Sequence, residues 1–81
     1  MRLPRDLSGA DLVKRLGGRY GYRITRQTGS HMRLTSTVRG EHHITIPNHD
    51  PLRLGTLAAI LASVGEYLGL TRDELIRQLF D

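Results

Sequence analysis

The chain has 81 residues, carries 12 basic against 8 acidic side chains for a net charge of +4, and contains no cysteine. This length predicts a single domain over residues 1–81 whose core supplies only about 3–5 kcal/mol, and the lack of cysteine excludes disulfides and thiolate metal sites. No segment has signal-peptide character or approaches the roughly 20 apolar residues of a membrane span, so we expect a soluble, cytoplasmic protein without a membrane partner.

The positive charge is concentrated in the middle of the sequence. Between Leu12 and Arg53 there are eight bases and two acids, a local charge of +6, whereas the segment from Leu54 onward has two bases and four acids. Seven of those eight bases are arginine, whose forked guanidinium suits phosphate and stacks on nucleobases. This distribution favours a nucleic-acid partner. Charge alone leaves a solvated basic surface open as the alternative.

Ser8 marks the start of the first predicted helix. Its hydroxyl can cap the helix, and Asp11 places a negative charge in the first turn, where the helix dipole favours it. Apolar residues at helical spacing predict a helix over 9–16. Glycine readily adopts the left-handed conformation that ends helices, so the helix should stop at Gly17-Gly18.

Three short segments of alternating polarity follow the helix. They predict strands over 20–27, 31–38 and 42–46, separated by glycine-containing turns at 28–30 and 39–41, and therefore an antiparallel meander. The side chains expected to face the core are Tyr20, Tyr22, Ile24, Met32, Leu34, Val38, Ile44 and Ile46.

Helical spacing returns in the last third of the chain. A core helix is predicted by the apolar residues Leu57, Ile60, Leu61, Val64 and Leu68. Gly69 ends it, and Thr71 with Glu74 forms a capping box for a short last helix.

The predicted fold is α+β, with the order α-β-β-β-α and a short C-terminal helix. A three-stranded sheet of this kind buries one face, so the helices should gather on the apolar side and leave the other face polar. The polar face is predicted to carry Arg23, Thr25, Gln27, His31, Arg33, Thr35, His43 and Thr45.

Several catalytic chemistries lack the residues that they need. The basic segment contains two acids, Glu41 and Asp50, which argues against paired-carboxylate or two-metal catalysis. His42, His43 and His49 without cysteine match zinc spacing poorly, and no serine-nucleophile elbow is present. No metal site and no cofactor are therefore predicted.

Histidine acid–base catalysis remains, and RNA suits it because RNA carries its own nucleophile. If a base takes the proton of the 2′-hydroxyl, that oxygen attacks the neighbouring phosphate, and such proton transfer contributes about 10²–10⁴-fold. His31, with Arg26 and Arg33 to stabilise charge on the phosphate, has the required parts. A solvated strand histidine is the alternative from the residues alone.

Three motifs occur in a fixed order along the chain. They are Gln27-Thr28-Gly29-Ser30-His31, Ile44-Thr45-Ile46-Pro47-Asn48-His49 and Leu54-Gly55-Thr56-Leu57. In this order they resemble the HicA (YcfA-like) toxins, and the resemblance extends over 8–80. It implies a fold similar to double-stranded-RNA-binding domains, mRNA interferase activity independent of the ribosome, and a HicB-type antitoxin as protein partner.

The resemblance also implies a catalytic role for His31, the histidine of the Gly-Ser-His turn. The residues predicted to bind RNA are Lys14, Arg23, Arg26, Ser30, Arg33, His43 and His49. The second proton carrier stays open among His43, His49, water and the substrate. Two other hypotheses also stay open, namely a non-catalytic RNA-binding module and a protein-interaction domain that uses the same polar face.

Overall fold

The computed structural model describes residues 2–81 and contains three helices and one sheet. The elements are α1 (Gly9–Tyr20), β1 (Arg23–Thr28), β2 (His31–Ser36), β3 (His42–Pro47), α2 (Leu54–Leu68) and α3 (Arg72–Phe80). The strands pair antiparallel in the order β1-β2-β3. The predicted α+β class and element order are confirmed.

Helix α1 begins as predicted and ends later. The Ser8 hydroxyl accepts a hydrogen bond from the Asp11 backbone N–H at 3.0 Å. Gly17 and Gly18 remain helical, and the helix continues to Tyr20, where Gly21 caps it with φ +73°. The predicted end at residue 16 was wrong. Tyr20 is buried in the last turn, and this burial outweighs the roughly 0.5–1 kcal/mol that each helical glycine costs.

Strands β1 and β2 are joined by a two-residue turn, Gly29-Ser30. Gly29, the first residue of the turn, has φ +57°, whereas Ser30 does not have a positive φ. A glycine with positive φ at the first central position is typical of a type II′ hairpin turn. Strand β2 ends at Ser36, so the predicted strand to residue 38 was too long. Val38 lies beyond it and is 57% exposed rather than core-facing.

Strand β1 contains a bulge that the alternation did not predict. The pairing of Ile24 with Leu34 is followed by that of Arg26 with Arg33 and of Gln27 with Met32. Thr25 is therefore the extra residue, and the side-chain alternation shifts by one after it. Gln27 was predicted on the polar face, yet its register partner Met32 faces the core. Arg26 takes the position on the polar face instead.

The core lies between one face of the sheet and the helices. Its fully buried side chains include Leu12, Leu16, Leu34, Ile46, Leu57, Leu61, Val64 and Leu75. Helix α3 is closed by the predicted capping box of Thr71 and Glu74. Within residues 2–81 no single helix is long and apolar enough to span a membrane. Taken together, α2 and α3 would be long and apolar enough, but the two helices are bent by 102° relative to each other.

An aromatic cluster joins the start of β3 to helix α2. The His42 ring stacks on Tyr67 with centroids 4.4 Å apart, and its Nδ1 and Nε2 lie 2.8 Å and 3.2 Å from the hydroxyls of Tyr22 and Ser63. Burial raises the pKa of the Tyr22 phenol well above its usual range. His42 is thus a half-buried structural residue.

Candidate active site

The polar face of the sheet is built of three cross-strand rows, which together we call the open face. The register places Thr28, His31 and Pro47 in row one, Arg26, Arg33 and Thr45 in row two, and Arg23, Thr35 and His43 in row three. Cross-strand partners point to the same side of a sheet, so each row presents its side chains together. The open face thus unites His31 with three of the predicted arginines.

His31 is the first residue of β2, directly after the Gly29-Ser30 turn. Its side chain is exposed and makes no hydrogen bond to the part of the chain that the structure describes. The turn itself is fixed, because the Asn48 backbone N–H donates to the Ser30 carbonyl at 2.6 Å. The backbone at His31 is therefore held in place while its imidazole is free to meet a ligand.

The start of α1 closes the same end of the sheet. The Gly9 N–H donates to the His49 carbonyl at 2.8 Å, and a Cβ at Gly9 would overlap the Pro47 carbonyl oxygen. Only glycine permits α1 to lie this close to the backbone of Pro47. The loop that carries His49 is thereby fixed beside the Gly29-Ser30 turn, so the exposed His49 lies at the His31 end of the sheet.

Row two contains two arginines directly opposite each other. Neither Arg26 nor Arg33 makes an ion pair with any acid in residues 2–81. Like charges that face each other across a strand pair repel. A bound anion would offset this repulsion, so row two is a favourable place for one. Two guanidiniums side by side can bind the oxygens of one phosphate by forked hydrogen bonds.

Row three carries a hydrogen-bonded chain of four side chains. His43 Nε2 lies 3.1 Å from a Glu41 carboxylate oxygen, His43 Nδ1 lies 2.8 Å from the Thr35 hydroxyl, and that hydroxyl lies 2.9 Å from the hydroxyl of Thr25. A carboxylate can only accept, so Nε2–H donates to Glu41. With a neutral ring, Nδ1 then accepts from Thr35, and Thr35 accepts from Thr25. Both nitrogens of His43 are occupied within the protein.

The spacing of the rows separates the two histidines of the open face. Row three lies four residues along β2 from row one, which is roughly 13 Å at the rise of an extended strand. His43 is therefore too far from His31 to transfer a proton at the same phosphate. Glu41 was not among the predicted site residues. Its spacing of two from His43 could have indicated it, because residues two apart in an extended chain share a face.

Lys14 lies on the helix side of the sheet, unlike Arg23, Arg26, Arg33 and His43 on the open face. It lines a groove of about 490 Å³ between α1 and the sheet, together with Val13, Ile24 and Met32. Met32 alternates with His31 along β2, so the groove lies on the helix side of the sheet.

Among residues 2–81 there is no group of three His, Asp or Glu side chains that could hold a metal ion.

Fold and site together define a small α+β protein with helices on one face of a sheet and a basic, histidine-bearing opposite face. This chain belongs to the HicA toxin family: the family described as "HicA toxin of bacterial toxin-antitoxin" matches residues 9–66. The match includes all three rows of the open face and ends before α3, so it is shorter than the predicted resemblance over 8–80. No curated protein and no solved structure matches the chain.

Proposed function

We propose that the protein is a metal-independent endoribonuclease, an mRNA interferase of the cytoplasm, in which His31 is the catalytic residue. The observation that carries the proposal is the position of an unbonded, exposed His31 one row from the unpaired Arg26 and Arg33. Glu41, a carboxylate beside the open face, already accepts a hydrogen bond from His43. A proton carrier and a phosphate-binding pair are thus adjacent.

The proposed reaction uses the substrate's own nucleophile. A base takes the 2′-hydroxyl proton, the 2′-oxygen attacks the adjacent phosphorus, the P–O5′ bond breaks, and the departing 5′-oxygen takes a proton. The products are a 2′,3′-cyclic phosphate and a 5′-hydroxyl. His31 moves one of the two protons, and the positive charges of Arg26 and Arg33, one row away, favour the negative charge that develops on the reacting phosphate.

The test is cleavage of an end-labelled mRNA by the purified protein in excess chelator. We expect cleavage with 2′,3′-cyclic phosphate ends, and a loss of roughly 10²–10⁴-fold on His31→Ala. A 2′-deoxy nucleotide on the 5′ side of the cut should block cleavage at that bond alone. Urea unfolding of His31→Ala checks that the exposed substitution leaves the fold intact.

Two results would overturn the proposal. Undiminished cleavage by His31→Ala would remove His31 from the chemistry. Salt-sensitive RNA binding by the wild-type protein without any strand scission would instead favour the non-catalytic RNA-binding module, because counterion release dominates such binding.

A HicB-type antitoxin with an acidic surface is the proposed protein partner. Membership of a toxin–antitoxin family supports a partner, and the unpaired arginines of the open face favour an acidic surface opposite them. Arg33→Glu should then slow association with the antitoxin and weaken the dependence of that rate on salt. An Arg33→Glu protein that associates as fast as wild type would contradict this arrangement.

A further inference from the structure

We propose that the open face binds a single RNA strand across three successive phosphates, with the cut at row one and the two further phosphates at rows two and three. The inference rests on the proposed ribonuclease function and adds the direction and length of the substrate contact. Because β2 begins at His31, directly after the Gly29-Ser30 turn, the rows continue from the cut in one direction only.

The spacing of the rows matches an extended strand of RNA. Successive rows are two residues apart along β2, which is about 7 Å. The phosphates of an extended RNA strand recur at a comparable interval, so a strand that lies along β2 meets each row with one phosphate. A double helix has no such straight run of phosphates against a flat sheet, and the substrate class is therefore single-stranded RNA.

Charge fixes the side of the open face on which the backbone lies. The β1 side of rows two and three carries Arg26 and Arg23, whereas Glu41 lies beside His43 on the β3 side. Phosphates are attracted to the arginines and repelled by the carboxylate. The backbone therefore follows β1 and β2, and the bases extend towards β3.

His43 has a role in this arrangement that is not acid–base chemistry. Glu41 and Thr35 occupy both of its ring nitrogens and hold the imidazole in one orientation. What the ring still offers to a ligand is its flat face, and bases of single-stranded RNA stack on such rings. We assign His43 to base stacking in row three and Arg23 to the phosphate of the same row.

The experiment uses a short RNA that carries one cleavage site mapped in the mRNA assay. Each phosphate within three positions on either side of the cut is replaced, one at a time, by a neutral methylphosphonate. Replacement of the first and second phosphates on one side of the cut should lower kcat/KM by roughly 10-fold or more each, because each loses charged hydrogen bonds. Replacements on the other side should have no effect.

Variants connect the phosphates to the rows. Arg23→Ala should lower kcat/KM on the unmodified RNA and have no further effect once the second phosphate is neutral. Arg77→Ala, with the same charge change on α3, should have no effect on either RNA. Equal sensitivity on both sides, sensitivity on neither side, or additive losses from Arg23→Ala and the neutral second phosphate would overturn the inference. If the wild-type protein cuts no mRNA at all, the ribonuclease function itself fails.

Discussion

Arg26 lies directly across the β1–β2 ladder from Arg33, and both side chains belong to the open face. If the strand continued from the Ile24–Leu34 pair without the bulge, Thr25 would lie opposite Arg33 and Arg26 would face the core. The bulge therefore creates a like-charge pair at a place where sheet energetics disfavour it. A pair that is unfavourable for folding and has no acid to offset it is well suited to bind phosphate.

Removal of one arginine from this pair should affect RNA and stability in opposite directions. We expect Arg26→Ala to weaken RNA binding and to reduce the slope of log affinity against log salt by about 1, since one phosphate contact is lost. The free energy of unfolding should stay the same or rise by about 0.2–1 kcal/mol, because the repulsion is removed.

Filter binding at several salt concentrations and urea unfolding measure the two effects. Arg77→Ala, an equal change of charge on α3, should leave the salt slope unchanged. A clear loss of stability in Arg26→Ala would show that this arginine is held by contacts within the fold rather than reserved for a ligand.

Two glycines of the same helix should respond oppositely to a methyl group. Gly9→Ala drives its Cβ into the Pro47 carbonyl, and such overpacking costs about 1–3 kcal/mol. Gly18→Ala meets no atom within 4 Å and should stabilise the helix by about 0.5–1 kcal/mol. Urea unfolding of both variants checks the pair. Equal stabilities would contradict the close contact between α1 and the loop after β3.

Tyr22 should make the protein sensitive to alkali. Burial raises the pKa of Tyr22 above its ordinary value of 10.0, so the folded chain keeps the phenolic proton after the unfolded chain has released it. The stabilisation is complete below pH 10 and decreases above it, at up to about 1.4 kcal/mol per pH unit.

Tyr22→Phe should therefore be less stable than wild type at pH 7, by about 1 kcal/mol for the lost hydrogen bond to His42, and should lose less stability between pH 9 and 11. Unfolding midpoints across that range compare the two proteins. Tyr20, whose pKa burial also raises, is present in both and leaves a residual slope. Parallel curves would mean that Tyr22 titrates normally.

The sequence alone was sufficient for the elements because their signals are local. The caps at Ser8 and Thr71 and the alternation in β2 and β3 depend on neighbouring residues, and the structure contains them all. The end of α1 was mispredicted because it depends on a distant contact. The burial of Tyr20 keeps two glycines helical, and no local pattern reports such a contact.

The site was predicted in its composition more than in its arrangement. His31 and the arginines follow from residue types and from the Gly-Ser-His turn, but alternation without the bulge puts Thr25 opposite Arg33 and turns Arg26 towards the core. Lys14 was grouped with them by charge, and charge says nothing about which side of a sheet a helix covers. The distance between His31 and His43 follows only from the strand register, which a single sequence does not specify.

Two threonines of the open face provide a last test of the network in row three. Thr35 is nearly buried, and its hydroxyl hydrogen-bonds to both His43 and Thr25. Thr45 is exposed, and its side chain makes no hydrogen bond to residues 2–81. Thr35→Val removes two hydrogen bonds and leaves His43 Nδ1 without its partner, while Thr25 keeps its longer bond to the Arg33 carbonyl at 3.4 Å. The substitution should therefore lower the free energy of unfolding by about 1–3 kcal/mol. Thr45→Val breaks no bond and keeps a branched side chain on a strand, so it should have little effect or stabilise slightly. If the two variants unfold at the same urea concentration, the hydroxyl of Thr35 does not hold His43, and the fixed orientation of that imidazole would have to come from Glu41 alone.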